Sequence, residues 1–202
     1  MLRFNGNTWM AVPWDSENHP WHDTAFHSVW AHSSSQIWVA GAGGTIIHND
    51  GTQWAEQASP DGTGTINSLW GISADSVWGS SGNKIISLNS GEWVVQFTAP
   101  SEENAFFNAI WVELSGTLSF YAVSENGLVY TFDGAQWSKQ DVVQQNLGAS
   151  VNLRGVMGGS GAPKGGVWLV GNDGEVAYRD TSEKWIFPSI KDSITAFHGV
   201  AG

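Results

Sequence analysis

The 202-residue sequence contains no cysteine, only six prolines, and eight lysines and arginines against 19 aspartates and glutamates. Without cysteine it has no disulfide bond, no thiolate metal ligand and no thiol nucleophile, although this leaves the compartment open. The net charge of −11 gives no counterion release on nucleic acid and is repelled by anionic membranes, so we expect neither partner. The apolar runs are too short to span a membrane.

The sequence is rich instead in tryptophan (13 residues) and glycine (25 residues), and three short motifs repeat along it. The first motif has five copies, at residues 26–30, 66–70, 107–111, 153–157 and 197–201. The second has four copies, at residues 37–41, 77–80, 119–123 and 167–171. The third ends at five tryptophans whose spacings of 45, 39, 44 and 48 residues fit the period of propeller blades: Trp9, Trp54, Trp93, Trp137 and Trp185.

Each period predicts four short β-strands, because the motifs are rich in β-branched and aromatic residues and turn residues separate them. Pairs containing glycine predict the turns between the second and third strands, at residues 43–44, 82–83, 126–127 and 173–174. Asparagine–glycine and aspartate–glycine pairs predict two-residue turns between the third and fourth strands, at residues 5–6, 50–51 and 133–134. No window has a sustained helical period, so we expect essentially no helix.

These repeats predict an all-β protein, a five-bladed β-propeller of four-stranded antiparallel blades, as a single domain over residues 1–202. The blades are predicted at about residues 26–65, 66–106, 107–152 and 153–196, with the fifth formed by residues 1–14 plus 197–202. The fifth blade is therefore shared by N- and C-terminal strands, and it is incomplete because no segment corresponds to residues 32–45.

Three explanations account for the incomplete blade. In the explanation that we favour, the blade has three strands, and its first and third strands shift together by one strand spacing of about 4.8 Å. In the second, the chain is a piece of a longer propeller protein. In the third, a strand from another chain fills the slot and produces a dimer, because an unpaired edge promotes association. The expected state is thus a monomer or a dimer through the incomplete blade.

Eleven of the 13 tryptophans occupy repeat columns, and we expect them to pack blade against blade. The column two residues before Trp30 contains only small side chains: Ser28, Ser68, Ala109, Gly155 and Gly199. Small residues are what the crowded inner strands of a propeller with few blades require.

The motifs at residues 29–30, 37–41 and 44–54 resemble bacterial propeller repeats of the Asp-box type, which occur in secreted, surface and sialidase-like proteins. The resemblance implies the fold but no single function, because such propellers include enzymes, lectins and scaffolds. In that family the aspartate five residues before the tryptophan stabilises a turn; here Asn49 and Phe4 occupy this slot, so the box is degenerate. The resemblance and the low lysine content favour an extracellular or cell-surface location, although residues 1–5 lack the apolar core of a signal peptide.

A polar column precedes the small one and consists of His27, Asn67, Asn108, Arg154 and His198. In a propeller these residues lie near the start of the innermost strands, around one mouth of the central channel. Convergent polar groups of this kind orient a small polar ligand. The alternative is a water-bridged structural ring. We expect alanine replacements at Asn67 and Arg154 to weaken ligand binding and to leave the fold intact.

Residues 13–23 form the least repeat-like segment and contain the two remaining tryptophans, Trp14 and Trp21, among several carboxylates. An exposed indole beside carboxylates is a common arrangement in sugar-binding sites. The alternative is a connecting loop that packs its own aromatic rings over a blade edge. His19 and His22 are spaced for a metal, but no further ligand signature accompanies them, so we predict no metal site.

Catalytic signals are scarce. Sialidase-like enzymes bind a substrate carboxylate with three converging arginines, whereas Arg3, Arg154 and Arg179 occupy ordinary repeat positions here. The sequence has no serine-nucleophile elbow and no phosphate loop, and the glycine-rich residues 158–166 fit a surface turn. We therefore predict a non-catalytic ligand-binding propeller without a cofactor, with carbohydrate as the first ligand class. A protein-interaction scaffold or module of a larger surface protein is the alternative, and a glycoside hydrolase is the third.

Overall fold

The computed structural model describes residues 2–4, 6–11, 19–115, 117–159 and 166–188, which are mostly β-strand. Four sheets follow one another along the chain, and each contains four antiparallel strands that are consecutive in sequence. We call these sheets blades 1 to 4. A further sheet of two strands precedes them.

The strands have the following bounds. The two-stranded sheet contains β1 (Leu2–Phe4) and β2 (Trp9–Ala11). Blade 1 contains β3 (Phe26–Ser33), β4 (Gln36–Gly41), β5 (Ile46–Asn49) and β6 (Trp54–Gln57). Blade 2 contains β7 (Ile66–Ser73), β8 (Ser76–Ser81), β9 (Lys84–Asn89) and β10 (Glu92–Thr98). Blade 3 contains β11 (Phe107–Ser115), β12 (Thr117–Ser124), β13 (Val129–Phe132) and β14 (Trp137–Lys139). Blade 4 contains β15 (Leu153–Met157), β16 (Val167–Gly171), β17 (Val176–Arg179) and β18 (Trp185–Ile186).

The predicted four-stranded repeat is confirmed, with β3, β7, β11 and β15 as successive inner strands that neighbour one another. The strands β1 and β2 stand where the sequence predicts the last two strands of the incomplete fifth blade. The C-terminal strand of that blade, within residues 197–202, lies outside the described residues. How the blade closes therefore stays a prediction.

The prediction of essentially no helix is wrong at one place. Residues Asp141–Leu147 form a seven-residue helix, α1, between blades 3 and 4. Val143 is the buried residue of α1 and belongs to the apolar core shared by these two blades. A single buried side chain in two turns gives no recognisable helical period, so the sequence pattern could not reveal it.

The apolar core lies between adjacent blades rather than within them. One cluster joins blades 1 and 2, a second joins blades 2 and 3, and a third joins blades 3 and 4. Tryptophans of the inner strands lie at these junctions. Trp70 Nε1 donates a hydrogen bond of 2.9 Å to the Val112 carbonyl oxygen in the next blade. The predicted role of these tryptophans in joining neighbouring blades is confirmed at this position.

Two other inner-strand tryptophans pack against glycines of the following blade. A Cβ atom at Gly71 would lie 2.7 Å from the indole ring of Trp30, and one at Gly158 would lie 2.6 Å from that of Trp111. Gly71 and Gly158 occupy equivalent positions, each directly after the inner-strand residue of the tryptophan column. The absence of a side chain at these positions is what allows the ring of one blade to touch the backbone of the next.

The turns predicted at residues 50–51 and 133–134 differ from the two-residue hairpins that the sequence predicted. Phe132 pairs with Trp137 and Asn49 with Trp54, so each of these loops has four residues. The first residue of each loop is an aspartate, and its carboxylate accepts hydrogen bonds from backbone N–H groups of the loop. Asp50 accepts hydrogen bonds from the backbone N–H groups of Thr52 and Gln53 at 2.8 and 2.9 Å. Asp133 accepts equivalent bonds in blade 3.

We expect Gly71→Ala to lower the free energy of unfolding by about 1–3 kcal/mol, because the added methyl group displaces the Trp30 ring from the junction of blades 1 and 2. The matched control is Gly64→Ala, whose Cβ would meet only Ser81 Oγ at 4.0 Å. Equilibrium denaturation of both variants measures the difference. Equal stabilities for the two variants would contradict the proposed packing of Trp30 on Gly71.

We expect the Asp50 turn to make stability dependent on acid. Hydrogen bonds from Thr52 and Gln53 lower the pKa of Asp50 to about 2, whereas the unfolded carboxyl group titrates near about 4. The stabilisation is therefore complete above about pH 4 and is lost as the pH falls towards 2. In thermal melts between pH 7 and 2, Asp50→Asn should lose less stability on acidification than the wild type. The asparagine keeps an acceptor oxygen without the charge. The control, Asp75→Asn, should retain the full loss.

Candidate functional site

A β-bulge occurs at the same place in each of the four inner strands that the structure describes. In β3, Phe26 pairs with Gly41 and Ser28 with Ala40, so the residue between them has no partner on β4. The equivalent shifts occur in the other three blades. The bulged residues are those of the predicted polar column: His27, Asn67, Asn108 and Arg154. Bulges bend a strand and redirect a side chain, which explains why polar residues are accommodated here.

The bulges bring these four side chains to one opening, which we call the polar mouth. Its cavity of about 500 Å³ is lined by His27, Asn67, Asn108 and Arg154, together with Phe26. The fifth member of the predicted column, His198, lies outside the described residues. The sequence thus identified the residues that meet at the polar mouth, and their role in binding a ligand stays a prediction.

The two asparagines of the polar mouth hold neighbouring blades together. Asn67 Nδ2 donates to the Phe107 carbonyl oxygen at 2.9 Å. Asn108 Nδ2 donates to the Leu153 carbonyl oxygen at 2.8 Å and to Asn152 Oδ1 at 2.7 Å. Each amide therefore reaches the inner strand of the following blade, as in the structural alternative for this column. Asn67 is consequently not a position where alanine would leave the fold unaffected.

The other two residues of the polar mouth, His27 and Arg154, are exposed. Neither side chain forms a hydrogen bond or ion pair with another residue of the described ranges. Arg154 is therefore a cation directed to solvent at the channel mouth of an acidic chain. It offers several N–H donors in a planar group that suits a carboxylate.

The serines in the column of small residues also form hydrogen bonds between blades. Ser28 Oγ accepts a hydrogen bond from the Leu69 backbone N–H at 2.8 Å, and Ser68 Oγ accepts one from Ile110 at 3.4 Å. Each hydroxyl thus satisfies an N–H group in the next inner strand. The sequence pattern predicted small side chains at this column, and the hydrogen bonds required the structure.

Trp21 does not form the exposed stacking surface that the sequence suggested. Its side chain is 8% exposed and packs in a cluster with Val39 and Ile47 of blade 1. Its Nε1 donates to Glu56 Oε2 at 2.8 Å. The corresponding face of blade 2 is covered by blade 1; on blade 1, Trp21 covers part of this face. Trp14 lies outside the described residues.

The remaining candidates for chemistry do not gather at the polar mouth. Within the described part of the chain, no group of three metal-ligating side chains forms, and His22 contacts Asp23 at 3.0 Å. Arg179 Nη1 donates to the Tyr121 hydroxyl oxygen at 2.8 Å and so links blades 3 and 4. It is engaged away from Arg154, which lines the polar mouth. The side chain of Arg3 lies outside the described part.

The structure also contains a larger opening, which the sequence analysis missed. Its cavity of about 780 Å³ lies at the opposite ends of the inner strands β7, β11 and β15. We call it the apolar groove; six of its lining residues are Trp70, Trp111, Glu113, Leu114, Met157 and Gly159. The one feature of the sequence that indicated this opening was the length of the β11–β12 hairpin. This hairpin is longer than those of blades 1 and 2 and carries Leu114 beyond their last residue pairs.

Comparisons with known proteins give the same architecture. YCF48 bound to a D1 peptide aligns with a TM-score of 0.59 and 22% identity, over 91% of this chain and 59% of that chain. YCF48 from Cyanidioschyzon merolae gives a TM-score of 0.61 and 11% identity, over 90% and 62%. The WD40 β-propeller domain of Doa1 gives a TM-score of 0.62 and 14% identity, over 85% and 57%. The protein is a β-propeller.

These similarities extend to the fold alone. This propeller spans 59% and 62% of the two YCF48 chains. No protein-family model matches the sequence, and no curated protein matches it either. None of the described helices is long and apolar enough to cross a membrane.

We expect Asn108→Ala to lower the free energy of unfolding by about 1–2 kcal/mol, because the Leu153 carbonyl and the Asn152 side chain both lose a hydrogen-bond donor. Arg154→Ala at the same mouth removes no interaction within the described chain and should change stability by less than about 0.5 kcal/mol. Urea denaturation of the two variants provides the measurement. A larger loss for Arg154→Ala than for Asn108→Ala would contradict this division of roles.

Proposed function

We propose that this propeller is a non-catalytic scaffold that binds an acidic segment of a partner protein at the polar mouth. The observation that carries the proposal is Arg154, an exposed guanidinium that lines the mouth without an ion pair among the described residues. In a chain of net charge −11, an available cation at a channel mouth favours an anionic group of a ligand. Arginine binds carboxylates with two parallel hydrogen bonds.

The hydrogen-bond capacity of the mouth supports a carboxylate as the recognised group. Both amide hydrogens of Asn108 are taken by bonds to Asn152 and Leu153. Among the described residues of the mouth, the remaining donors are Arg154, the His27 ring and the second amide hydrogen of Asn67. A carboxylate accepts hydrogen bonds and donates none, so its requirements match these donors.

The solved structures supply an example of a peptide ligand on a similar fold. One of the similar propellers is described as YCF48 bound to a D1 peptide. At 22% identity this carries no ligand over to the present chain. It supports the choice of a protein segment ahead of carbohydrate as the first ligand to test.

Carbohydrate is the second candidate ligand, and one observation favours it. With their amide nitrogens bonded to the next blade, Asn67 and Asn108 leave side-chain oxygens at the mouth as acceptors. Sugar hydroxyl groups donate to such acceptors and accept from arginine. We also retain the degenerate Asp-box type as a proposed repeat class. In its support, Asp180 lies five residues before Trp185 and accepts backbone N–H bonds from Ser182 and Lys184.

The test uses a fluorescent octapeptide of alternating glutamate and serine, with a glycan array run in parallel on the same protein. We expect the peptide to bind the wild-type chain and Arg154→Gln to weaken binding about tenfold, because a charge-assisted hydrogen-bond pair is lost. Lys184→Gln is the matched control, since it removes one positive charge from an exposed turn in the same blade.

Equal weakening by Arg154→Gln and Lys184→Gln would show a general charge effect and would overturn the polar mouth as the site. A glycan signal that is lost in Arg154→Gln, with no peptide binding, would replace the protein segment by carbohydrate as the ligand. Because the Arg154 side chain forms no hydrogen bond or ion pair among the described residues, we expect this variant to remain folded, and a thermal melt of Arg154→Gln checks this.

A further inference from the structure

We propose that the apolar groove is a second interaction surface and that it binds a basic, amphipathic segment of a partner protein. The groove lies at the mouth of the channel opposite the polar mouth, and no lining residue is common to the two. The inference rests on the proposed function only in taking a protein segment as the ligand. It adds a separate site of opposite chemistry.

The β11–β12 hairpin forms one wall of the groove. In blade 2 the pairing beyond Trp70 and Trp78 ends at Ser73 and Ser76. In blade 3 the pairing continues beyond Trp111 and Tyr121 through Glu113, Leu114 and Ser115. The longer hairpin extends Leu114 beyond the last residue pair of the blade 2 hairpin, and its side chain is 62% exposed. A leucine held on a paired strand at this exposure is a pre-formed apolar contact for a ligand.

The floor of the groove is apolar and belongs to three blades. Trp70 of blade 2 is half-buried, and its indole nitrogen is fixed by the bond to Val112. Trp111 of blade 3 and Met157 of blade 4 are almost fully buried beneath it. Aromatic and methionine side chains of this kind adapt to apolar ligand groups. The volume of about 780 Å³ suits a short segment of chain, being within the range of ligand sites.

The charge of the groove selects the ligand. Among the described residues that line the groove, Glu113 is the one that carries a charge. A Cβ atom at Gly159 would lie 3.7 Å from Glu113 Oε1, so the carboxylate extends across the floor towards blade 4. Glu113 forms no ion pair within the described part of the chain. A carboxylate beside an exposed leucine and a half-buried tryptophan complements a lysine or arginine that follows an apolar residue.

The two mouths therefore differ in sign. The polar mouth presents Arg154, whereas the apolar groove presents Glu113 with Leu114 and Trp70. A ligand that is acidic fits the first and is repelled by the second. This difference allows the two sites to be tested in one experiment.

The experiment titrates two labelled octapeptides, one alternating leucine with lysine and the other alternating leucine with glutamate, at about 150 mM salt to screen long-range attraction. We expect the leucine–lysine peptide to bind and to shift the NMR resonance of the Trp70 indole N–H. Leu114→Asn should weaken its binding about tenfold through lost apolar contact. Glu113→Gln should weaken it about threefold or more through the lost charge pair.

Matched controls separate the groove from the general acidity of the chain. Glu92→Gln removes the same charge from an exposed position in blade 2, and Val142→Asn replaces an exposed apolar residue of α1; both should leave binding unchanged. Arg154→Gln should also leave the leucine–lysine peptide unaffected while it weakens the leucine–glutamate peptide. This pattern supports both sites.

Three results would overturn the inference. The first is equal loss of leucine–lysine binding in Glu92→Gln and Glu113→Gln, which indicates non-specific attraction. The second is binding without any shift of the Trp70 indole resonance. The third is binding of the leucine–glutamate peptide alone, with dependence on Arg154. That last outcome rejects the groove as a binding site and supports the proposed function. If the groove binds the leucine–lysine peptide but no binding depends on Arg154, the proposed function is rejected and the groove is supported.

Discussion

The packing of an inner-strand tryptophan on the backbone of the next blade is the interaction on which the other features depend. Trp30 lies against Gly71 and Trp111 against Gly158, and each glycine follows directly after the position of the next member of the tryptophan column. Because one blade supplies the ring and the next supplies the bare backbone, no blade completes its core alone. The inner strands are thereby held close enough for Ser28 and Asn67 to bond to their neighbours.

Among the described residues, the inner strand of blade 1 is more exposed than the inner strands of blades 2 and 3. Val29 is 64% exposed, although its equivalents Leu69 and Ile110 are 3% and 2% exposed. Trp21 covers the outer part of the same face by packing on Val39 and Ile47. Trp21, which precedes β3, therefore covers part of this face, whereas the equivalent faces of blades 2 and 3 are covered by the preceding blade.

Most of the architecture and half of the site chemistry could be predicted from sequence. The repeat columns are local and strong, so they predicted the strands, the junction tryptophans and the residues of the polar mouth. The bulges at His27 and Asn67 could not be predicted, because a bulge is defined by pairing across strands. The role of Trp21 was equally hidden, since an indole beside carboxylates has the same sequence signature whether it is exposed or buried. The short helix α1 and the apolar groove depended on tertiary packing that no periodicity records.

The double duty of the asparagines constrains how this propeller can change its ligand. Asn67 and Asn108 line the polar mouth and also hold the next inner strand, so replacing either one alters stability along with recognition. His27 and Arg154, at the two ends of the described arc, have no such duty. New specificities can therefore arise by variation at the ends of the arc while its middle is kept constant. In the polar mouth, the two asparagine positions are thus constrained by stability, whereas the positions of His27 and Arg154 can vary.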